Sequence, residues 1–449
     1  MSNQFNGFMD IPEEFYEDPK HDLINITIEH FATMKDIYGH IYYPTQISKL
    51  TEYAGRMCYN SHDKINESSD IGFNRRTMKS VHLSVEAHGF IGLVIHPYGE
   101  NKKAYYEELK AHLFEYSKLM NVHASSDYTT IEIHFNIRSL IDYIINIWKK
   151  DPKLNGYETT FFTLFAGICN RLQILDPLLD FTSKYVENNP HMEQELETII
   201  WYNDITVVSY NEKGETQVNH YVGKESIPVH EIRPYELYTN LQGIDISILN
   251  VTMNPHYIPG YHMQEDAKVL PSPNDPVMGS VTFKVTIPRI VSQQEVRHWE
   301  SIFTDEMVLE LGAISQKSQR YVNEGNMECY FRPTTDTKKK YQVEVDGYLV
   351  QLSIEDFIEL DKVMYRNMVE DGYPKEEARN LLLNGVYSDI IITKEFKALP
   401  HYFAERTAMG AQAEIRAYAI ALKDFMENLN IKEGLFTPSK YNAELSGIK

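Results

Sequence analysis

The sequence lacks most of the short signals that identify a common enzyme class directly. Its 449 residues include three cysteines, Cys58, Cys169 and Cys329, whose spacing forms neither a CxxC pair nor a zinc-binding pattern. An odd number of cysteines argues against a disulfide framework, so we expect a reducing, cytoplasmic compartment. GxGxxG and P-loop motifs are also missing, which leaves a classical dinucleotide-binding fold without support.

Basic residues are scarce, and long apolar runs do not occur. The N-terminus has no basic segment followed by an apolar one, so we expect no signal peptide, and no run is long enough to span a membrane. Lysine and arginine total 43 against 64 aspartates and glutamates, which gives a formal net charge of −21. Such a surface repels nucleic acid and anionic membranes, so we expect neither as a partner. An anionic small ligand would need a local cluster of basic residues.

The spacing of apolar residues predicts both helices and strands. Helices are expected from about Gln46 through Leu50–Ser61, over Tyr105–Met120 and Arg138–Trp148, and in a last helix with Ile415, Tyr418, Leu422, Phe425 and Met426 on one face. Strands are expected at Gly89–Ile95, Thr129–Phe135, Ile205–Tyr210 and Val281–Ile287. The segment Asp63–Asn74 is interpreted as a polar loop, and Leu270–Gly279 as a proline-rich break. After the strand at Val281–Ile287 we expect a mostly helical region to about Asn430, broken near Asn384–Asp389.

Several basic residues in the C-terminal part could bind an anion together, because the planar guanidinium of arginine matches phosphate oxygens. They are Arg297, His298, Lys317, Arg320, Arg379, Arg406 and Arg416. The alternative is that each is an ordinary surface charge or ion-pair partner. Ser318 has no GxSxG setting and is not interpreted as a nucleophile, while Cys58 and Cys329 are expected to be packing residues. The histidine spacings do not match the HExxH type, so no metal site is expected.

Six segments occur in an order that resembles the flavin-dependent thymidylate synthases. They are EYAGRMCYNS (Glu52–Ser61), HLSVEAH (His82–His88), QEVRHW (Gln294–Trp299), SQKSQRYV (Ser315–Val322), EEARNLL (Glu376–Leu382) and RTAMGAQAEIRAYA (Arg406–Ala419). The resemblance covers about half of the chain, mainly residues 46–96 and 280–430. It implies an α+β fold whose synthase-like core has a central sheet with long helices. Residues 1–100 and 277–449 would form that core, and residues 101–276 a large mixed α/β insertion of unknown role.

The resemblance also implies a reaction, the reductive methylation of dUMP to dTMP. Methylenetetrahydrofolate would supply the carbon, FAD would carry the hydride, and NADPH would reduce the flavin. The protein would then mainly bind, orient and polarise its ligands. A homo-oligomer, with a tetramer as the expected form, would assemble around the site. The partners implied are therefore a nucleotide monophosphate, folate and further copies of the chain.

Site residues carry over position by position. Arg406 and Ser318 are implied as catalytic, with Ser318 donating a hydrogen bond and Arg406 facing the pyrimidine ring, where a cation favours negative charge on the ring. The residues implied to bind the nucleotide are Gln294, Gln316, Ser318, Arg320, Arg379 and Arg406. The residues implied to line the flavin are His82, Ser84, Arg297, His298 and His401.

The chain departs from the family pattern at several motifs. Trp299 replaces the second arginine of RHR, the link from Trp299 to Ser315 is extended, and the acid of HxSxxEH has moved to Glu86. The family's NxRSL becomes Glu395-Phe-Lys397-Ala-Leu399, whereas an intact NIRSL stands at Asn136–Leu140. We hypothesise that Asn136 and Arg138 supply the missing flavin contacts, the alternative being a chance match. Two further alternatives stay open, namely methylation or hydroxymethylation of another pyrimidine nucleotide such as dCMP, and a non-catalytic descendant with a structural role.

Overall fold

The structure is a computed structural model. It describes residues 47–66, 68–79, 82–96, 101–117, 120–129, 131–150, 234–253, 277–298, 312–429, 431–432 and 434–437, with short strands at 25–27, 34–35, 41–42, 204–210, 216–222, 303–304 and 307–308. The strand expected at Ile205–Tyr210 is confirmed as Asp204–Tyr210. Most of the proline-rich segment and Trp299 lie outside the described residues.

Three helices open the well-described part of the chain: α1 (Ile47–Tyr59), α2 (Ser69–Lys79) and α3 (Leu83–Glu86). Helix α1 confirms the expectation, but α2 shows that the loop predicted at Asp63–Asn74 is wrong. The helix forms because it packs on α1 through buried polar contacts. Ser48 donates to Asp70 over 2.7 Å, and Asn74 donates to the Ser48 carbonyl over 3.0 Å.

An antiparallel N-terminal sheet follows. Its strands are β1 (Asn25–Thr27), β2 (Phe90–His96), β3 (Asn121–Ala124) and β4 (Ile131–Asn136), in the spatial order β1-β2-β4-β3. Helix α4 (Lys102–Tyr116) connects β2 to β3, and α5 (Ile137–Lys150) continues directly from β4. These elements confirm the strands and helices expected between Gly89 and Trp148.

A second antiparallel sheet forms the C-terminal core. Its strands are β5 (Tyr235–Leu237), β6 (Asp245–Met253), β7 (Gly279–Pro288), β8 (Gly312–Gln316) and β11 (Tyr387–Glu395), in the spatial order β5-β6-β7-β11-β8. Three helices accompany it: α6 (Arg289–Glu295), α9 (Leu399–Arg406) and α10 (Ala413–Asn428). The mixed composition with antiparallel sheets confirms the α+β class.

Between β8 and β11 the chain forms a hairpin, β9 (Lys340–Val345) and β10 (Tyr348–Ser353), and then helices α7 (Ile354–Glu370) and α8 (Lys375–Ala378). A capping box of Ser353 and Asp356 starts α7. The mostly helical region predicted before Asn430 is therefore wrong, since β8, the hairpin and β11 all lie in it. In β11, Ile390, Ile391 and Ile392 are all buried, so the strand shows no alternation in the sequence.

The two sheets share one topology. The strands β1, β2, β3 and β4 have the same chain order, spatial order and antiparallel pairing as β6, β7, β8 and β11. In both sheets the second strand leads into a helix, α4 or α6, and the last strand leads into another, α5 or α9. Asn136 and Glu395 end the two last strands. Seven positions later stand Tyr143 and Tyr402, both fully buried.

The C-terminal sheet is covered on both faces. On one face, α9 and α10 pack against Val281, Phe283, Val285 and Ile287 of β7. The apolar face predicted for α10 is confirmed, because its five residues are all buried. On the other face, α1 packs Leu50, Ala54 and Met57 against Leu249 and Ile391. Within the described part of the chain, no helix combines the length and apolar character needed to cross a membrane.

Candidate functional site

The loop that begins at Lys317 leaves β8 at the edge of the C-terminal sheet and is held on two sides. The Ser318 amide donates to the Cys58 carbonyl at the end of α1 over 3.0 Å, and the Lys317 amide donates to the Asp389 carbonyl of β11 over 2.9 Å. The amide of Val322 closes the turn on the Ser318 carbonyl over 2.9 Å. Ser318 is therefore fixed between the end of α1 and the strand β11. The Ser318 hydroxyl accepts a hydrogen bond from the Arg320 amide over 3.3 Å.

Two of the predicted nucleotide-binding arginines meet at Glu376 on α8. Arg320 Nε lies 3.1 Å from Glu376 Oε2, and Arg379 Nε donates to the Glu376 carbonyl over 3.2 Å. Lys375 adds a bond from its Nζ to the Tyr321 carbonyl over 2.9 Å. The structure thus brings the SQKSQRY and EEARNLL motifs together. The Arg320–Glu376 pair is half exposed on both sides, so it adds little stability, and an anion can compete for Arg320.

Arg289 is a third cation at this place that the sequence analysis missed. Burial lowers the pKa of Arg289, and the positive charge of nearby Arg379 lowers it further, while Glu324 acts in the opposite direction. The Arg289 amide donates to the Val386 carbonyl over 2.9 Å, which holds the start of α6 against the segment before β11. The effect of Arg379 on the pKa of Arg289 indicates that the two positive charges lie near each other. The only sequence signal was an arginine directly after a strand and shortly before Gln294.

Gln294 and Arg406 also come together. Arg406 Nη2 donates to the Gln294 carbonyl over 3.3 Å, and the Gln294 side chain donates to Gln412 Oε1 over 2.5 Å. Helix α6 ends beside α9, and Gln412 precedes α10 directly, so three elements converge here. Arg416 lies one turn into α10 and donates to the Met409 carbonyl over 2.8 Å, which holds the turn between α9 and α10.

Gln316 links the two groups of residues. Its side chain donates to Ser388 Oγ over 2.8 Å and to Ser292 Oγ over 3.2 Å. Ser292 lies two positions before Gln294, and Gln316 lies two positions before Ser318. Gln316 therefore connects the loop that begins at Lys317 to α6, the helix that carries Gln294.

A buried histidine fixes the strand behind the loop. His88 Nε2 lies 2.9 Å from Ser315 Oγ, and His88 Nδ1 lies 2.9 Å from Thr393 Oγ1. Burial lowers the pKa of His88 to about 3, so the imidazole is neutral at physiological pH. The last histidine of HLSVEAH is thus a structural bridge between α3 and the sheet, and it is not a ligand contact.

Of the predicted flavin-lining residues, the structure connects His82 to this site through contacts of its side chain. His82 Nδ1 lies 3.4 Å from Tyr59 OH. The rings of Tyr59 and Tyr321 are 5.1 Å apart, and Tyr321 belongs to the loop that begins at Lys317, so His82 lies beside that loop. Ser84 and Arg297 are exposed, and His401 is half-buried on α9. For His298 the structure describes the backbone only, at the end of the short 3-10 turn Val296–His298.

The strand that leads into the intact NIRSL segment, and the strand beside it, contact the altered counterpart of that segment. Asn121 donates to Glu395 Oε2 over 2.6 Å, His134 Nδ1 lies 2.8 Å from Glu395 Oε1, and Lys397 Nζ donates to Asn121 over 3.4 Å. Asn136 caps α5, because its Oδ1 accepts from both the amide and the hydroxyl of Ser139 over 2.8 Å. The N-terminal sheet therefore packs directly on Glu395, where the family pattern has its asparagine.

These features define an α+β protein in which the arginines of two motifs meet between the loop after β8 and the short helix α8. Residues 277–429 match the model of a family described as thymidylate synthase complementing protein. A flavin-dependent thymidylate synthase of Geobacter sulfurreducens is 33% identical over 147 residues, which are 32% of this chain and 54% of that protein. One of Sulfurisphaera tokodaii is 31% identical over 140 residues, 31% of this chain and 46% of that protein. The resemblance seen in the motifs is confirmed for this C-terminal region.

The coverage of these matches is partial. The chain spans about half the length of the curated relatives that it matches. Among solved structures, a UMP/dUMP methylase of Streptomyces cacaoi bound with 5-Br dUMP matches 43% of this chain and 94% of its own, with 16% identity and a TM-score of 0.29. A score this low supports no structural inference.

Proposed function

We propose that the protein catalyses the FAD-dependent reductive methylation of dUMP to dTMP with methylenetetrahydrofolate and NADPH. The observation that carries this proposal is the meeting of Arg320 and Arg379 at Glu376, beside Arg289 and the fixed turn at Ser318. In a protein with a net charge of −21, an anionic ligand such as a phosphate would need a local group of cations of this kind. The similarity of residues 277–429 to the family supports the same reading.

The phosphate would lie between Arg320, Arg379 and Ser318. Charge-assisted hydrogen bonds from arginine to phosphate are stronger than neutral ones, so the phosphate would displace the exposed Glu376 carboxylate from Arg320. Gln316 would then hold the loop at a fixed distance from Gln294 and Arg406. In this arrangement the first three residues would bind the phosphate of the nucleotide. Gln294 and Arg406 would bind its base.

Arg406 would act on the pyrimidine ring. Its guanidinium is half-buried and held by the Gln294 carbonyl, so its position is set before the ligand binds. A preorganised cation beside the ring would stabilise negative charge on the ring, and that charge makes C5 nucleophilic toward an electrophile. Gln294, whose side chain is held by Gln412, would orient the same ring.

The flavin, when bound, supplies the hydride that completes the methyl group. Residues that would hold it are His82, Ser84, Arg297, His298 and His401, with Asn136 and Arg138 from the N-terminal sheet. Arg138 fits such a role, because its Nε is enclosed without a hydrogen-bond partner among the described residues and could bind an anionic group. The side-chain oxygen of Asn136 already caps α5, so its contribution would come from its remaining amide hydrogens.

We also propose that copies of the chain assemble, with a homotetramer as the expected form. The hairpin face, formed by β9, β10 and α7, exposes large apolar side chains: Tyr348 is 76% and Leu349 is 65% exposed, with Phe357, Leu360 and Met364 about half exposed. A two-stranded hairpin is marginally stable alone in water, so a covering surface is expected. A second copy of this chain is our proposed occupant of this face, because the family resemblance implies a homo-oligomer. Light scattering on Tyr348→Ser should then show a smaller particle than the wild type.

Turnover with separate nucleotides tests the proposed reaction. The purified protein is incubated with FAD, NADPH, methylenetetrahydrofolate and either dUMP or dCMP, and the products are identified by mass. We expect a methylated product from dUMP, and none from the Arg406→Ala variant. A product only from dCMP, or a hydroxymethylated one, would replace the proposed substrate or reaction. A protein that binds no added FAD would contradict the proposal and favour the non-catalytic alternative.

A further inference from the structure

A buried charged cluster lies directly behind the Gln294–Arg406 contact. Glu295, the last residue of α6, accepts hydrogen bonds at Oε2 from Tyr402 over 2.9 Å and from Tyr418 over 2.5 Å. Its Oε1 lies 2.9 Å from Lys394 Nζ, and that ammonium group lies 4.5 Å from the centre of the Tyr402 ring. None of these side chains is more than 3% exposed. The cluster joins α6, α9, α10 and the central strand β11.

Its members are neighbours of the residues that face the base. Glu295 follows Gln294 directly, and Tyr402 precedes Arg406 by four positions, about one helical turn. The Glu295–Tyr402 bond and the Arg406–Gln294 bond therefore run in parallel between α6 and α9. If the first were broken, α9 could shift or rotate relative to α6, and the second would lose its geometry.

The N-terminal sheet offers a comparison within the same chain. There, Tyr143 occupies the position that corresponds to Tyr402, and its hydroxyl lies 2.9 Å from His112 on α4, the helix that corresponds to α6. The tyrosine contact between the two helices is thus common to both units. The Glu295 carboxylate and the Lys394 ammonium group belong to the C-terminal sheet and its helices, which also carry Arg406. Burying such a pair is seldom the most stable packing, although it selects one geometry when every partner is satisfied.

We propose that Glu295, Lys394, Tyr402 and Tyr418 form a positioning cluster that holds Gln294 and Arg406 in the arrangement that binds the base of a pyrimidine nucleotide. This inference rests on the proposed function, and it adds residues that touch neither substrate nor cofactor. The cluster acts on the base half of the site. The phosphate half, at Ser318 and Arg320, has its own contacts with Cys58 and Glu376, in addition to the link from Gln316 to Ser292.

That division gives the test. Calorimetry measures binding of dUMP and of deoxyribose 5-phosphate, which keeps the phosphate and lacks the base, to the wild type and to Tyr402→Phe. We expect Tyr402→Phe to raise the Kd for dUMP about tenfold and to change the Kd for deoxyribose 5-phosphate less than about twofold. Tyr418→Phe serves as a second variant of the cluster. Tyr143→Phe, which removes the corresponding hydroxyl in the other unit, is the matched control and should leave both constants unchanged.

Three outcomes separate the possibilities. In the first, Tyr402→Phe and Tyr143→Phe weaken the binding of dUMP and of deoxyribose 5-phosphate to the same extent. That result would mean that the hydroxyls contribute only to stability, and it would overturn the positioning role. Unchanged dUMP binding in both cluster variants would overturn it as well. A wild-type protein that binds neither ligand would contradict the proposed function itself, and the inference would fall with it.

Discussion

Glu86 should make the stability of this protein fall as the pH rises through the neutral range. Its side chain is fully buried at the end of α3, with Oε1 accepting from the Thr77 hydroxyl over 2.9 Å and Oε2 without a partner among the described residues. Burial raises the pKa of Glu86 from 4.5 to about 8, although the Thr77 hydrogen bond acts against the rise. The folded protein therefore holds a protonated, uncharged carboxyl at neutral pH.

The direction of the effect follows from proton linkage. Below the ordinary pKa of 4.5 the carboxyl is protonated in both states, and its contribution to stability is fully present. As the pH rises from there toward 8, unfolding releases a proton, so stability declines and the contribution is lost. Between about pH 5 and pH 8 the loss amounts to about 3 to 4 kcal/mol. His88 acts in the opposite direction, because its lowered pKa costs stability as the pH falls below 6.5.

Comparison with Glu86→Gln separates these two effects. Glutamine keeps an acceptor for Thr77 and does not titrate, while His88 is unchanged. Urea unfolding of both proteins at about pH 5 and about pH 8 should show the variant gaining about 3 to 4 kcal/mol relative to the wild type over this interval. The exposed Glu107→Gln variant is the control and should follow the wild type. Parallel pH profiles for Glu86→Gln and wild type would refute the reasoning, because the carboxyl would then have to be ionised in the folded state.

Three further predictions follow from other contacts. Arg320→Ala and Arg379→Ala should each raise the Kd for dUMP about tenfold, with a reduced salt dependence, and calorimetry showing unchanged binding would remove the phosphate site from the account. His134→Ala should destabilise the protein by about 1–3 kcal/mol in urea, since it leaves one oxygen of the buried Glu395 without its partner, and a neutral substitution would mean that water replaces the imidazole. Cys329 should react slowly with iodoacetamide at about pH 8, because burial and the nearby Asp361 raise its pKa to about 11; alkylation as fast as that of glutathione would contradict this.

The elements with a clear apolar period could be predicted from the sequence. Helix α10 shows one buried face, and the sequence of β7 alternates between apolar and other residues over Val281–Ile287, so both were recognisable. Strand β11 was not, because its central isoleucines are buried on both faces and give no alternation. The β9–β10 hairpin did carry a signal that was missed. Asp346 and Gly347 form its turn with φ of 51° and 81°, and Asp-Gly is a preferred sequence for such turns.

The candidate site was predictable where one short segment carries several of its residues. Ser318 and Arg320 stand in one motif, and the order of the motifs placed Arg379 and Arg406 with them. Arg289 and Glu295 were missed because their roles depend on residues far away in the chain. Glu295 meets Tyr402 and Tyr418 only after β11, α9 and α10 have assembled, and no local pattern marks a glutamate as buried.

Transfer of a labelled carbon tests the central claim most directly. The protein is supplied with FAD, NADPH, dUMP and methylenetetrahydrofolate that carries carbon-13 in its methylene group, and the nucleotide product is examined by NMR. The account predicts that the label appears as a methyl group on C5 of the pyrimidine. It would be contradicted if the flavin were bound and reduced while the label stayed on the folate.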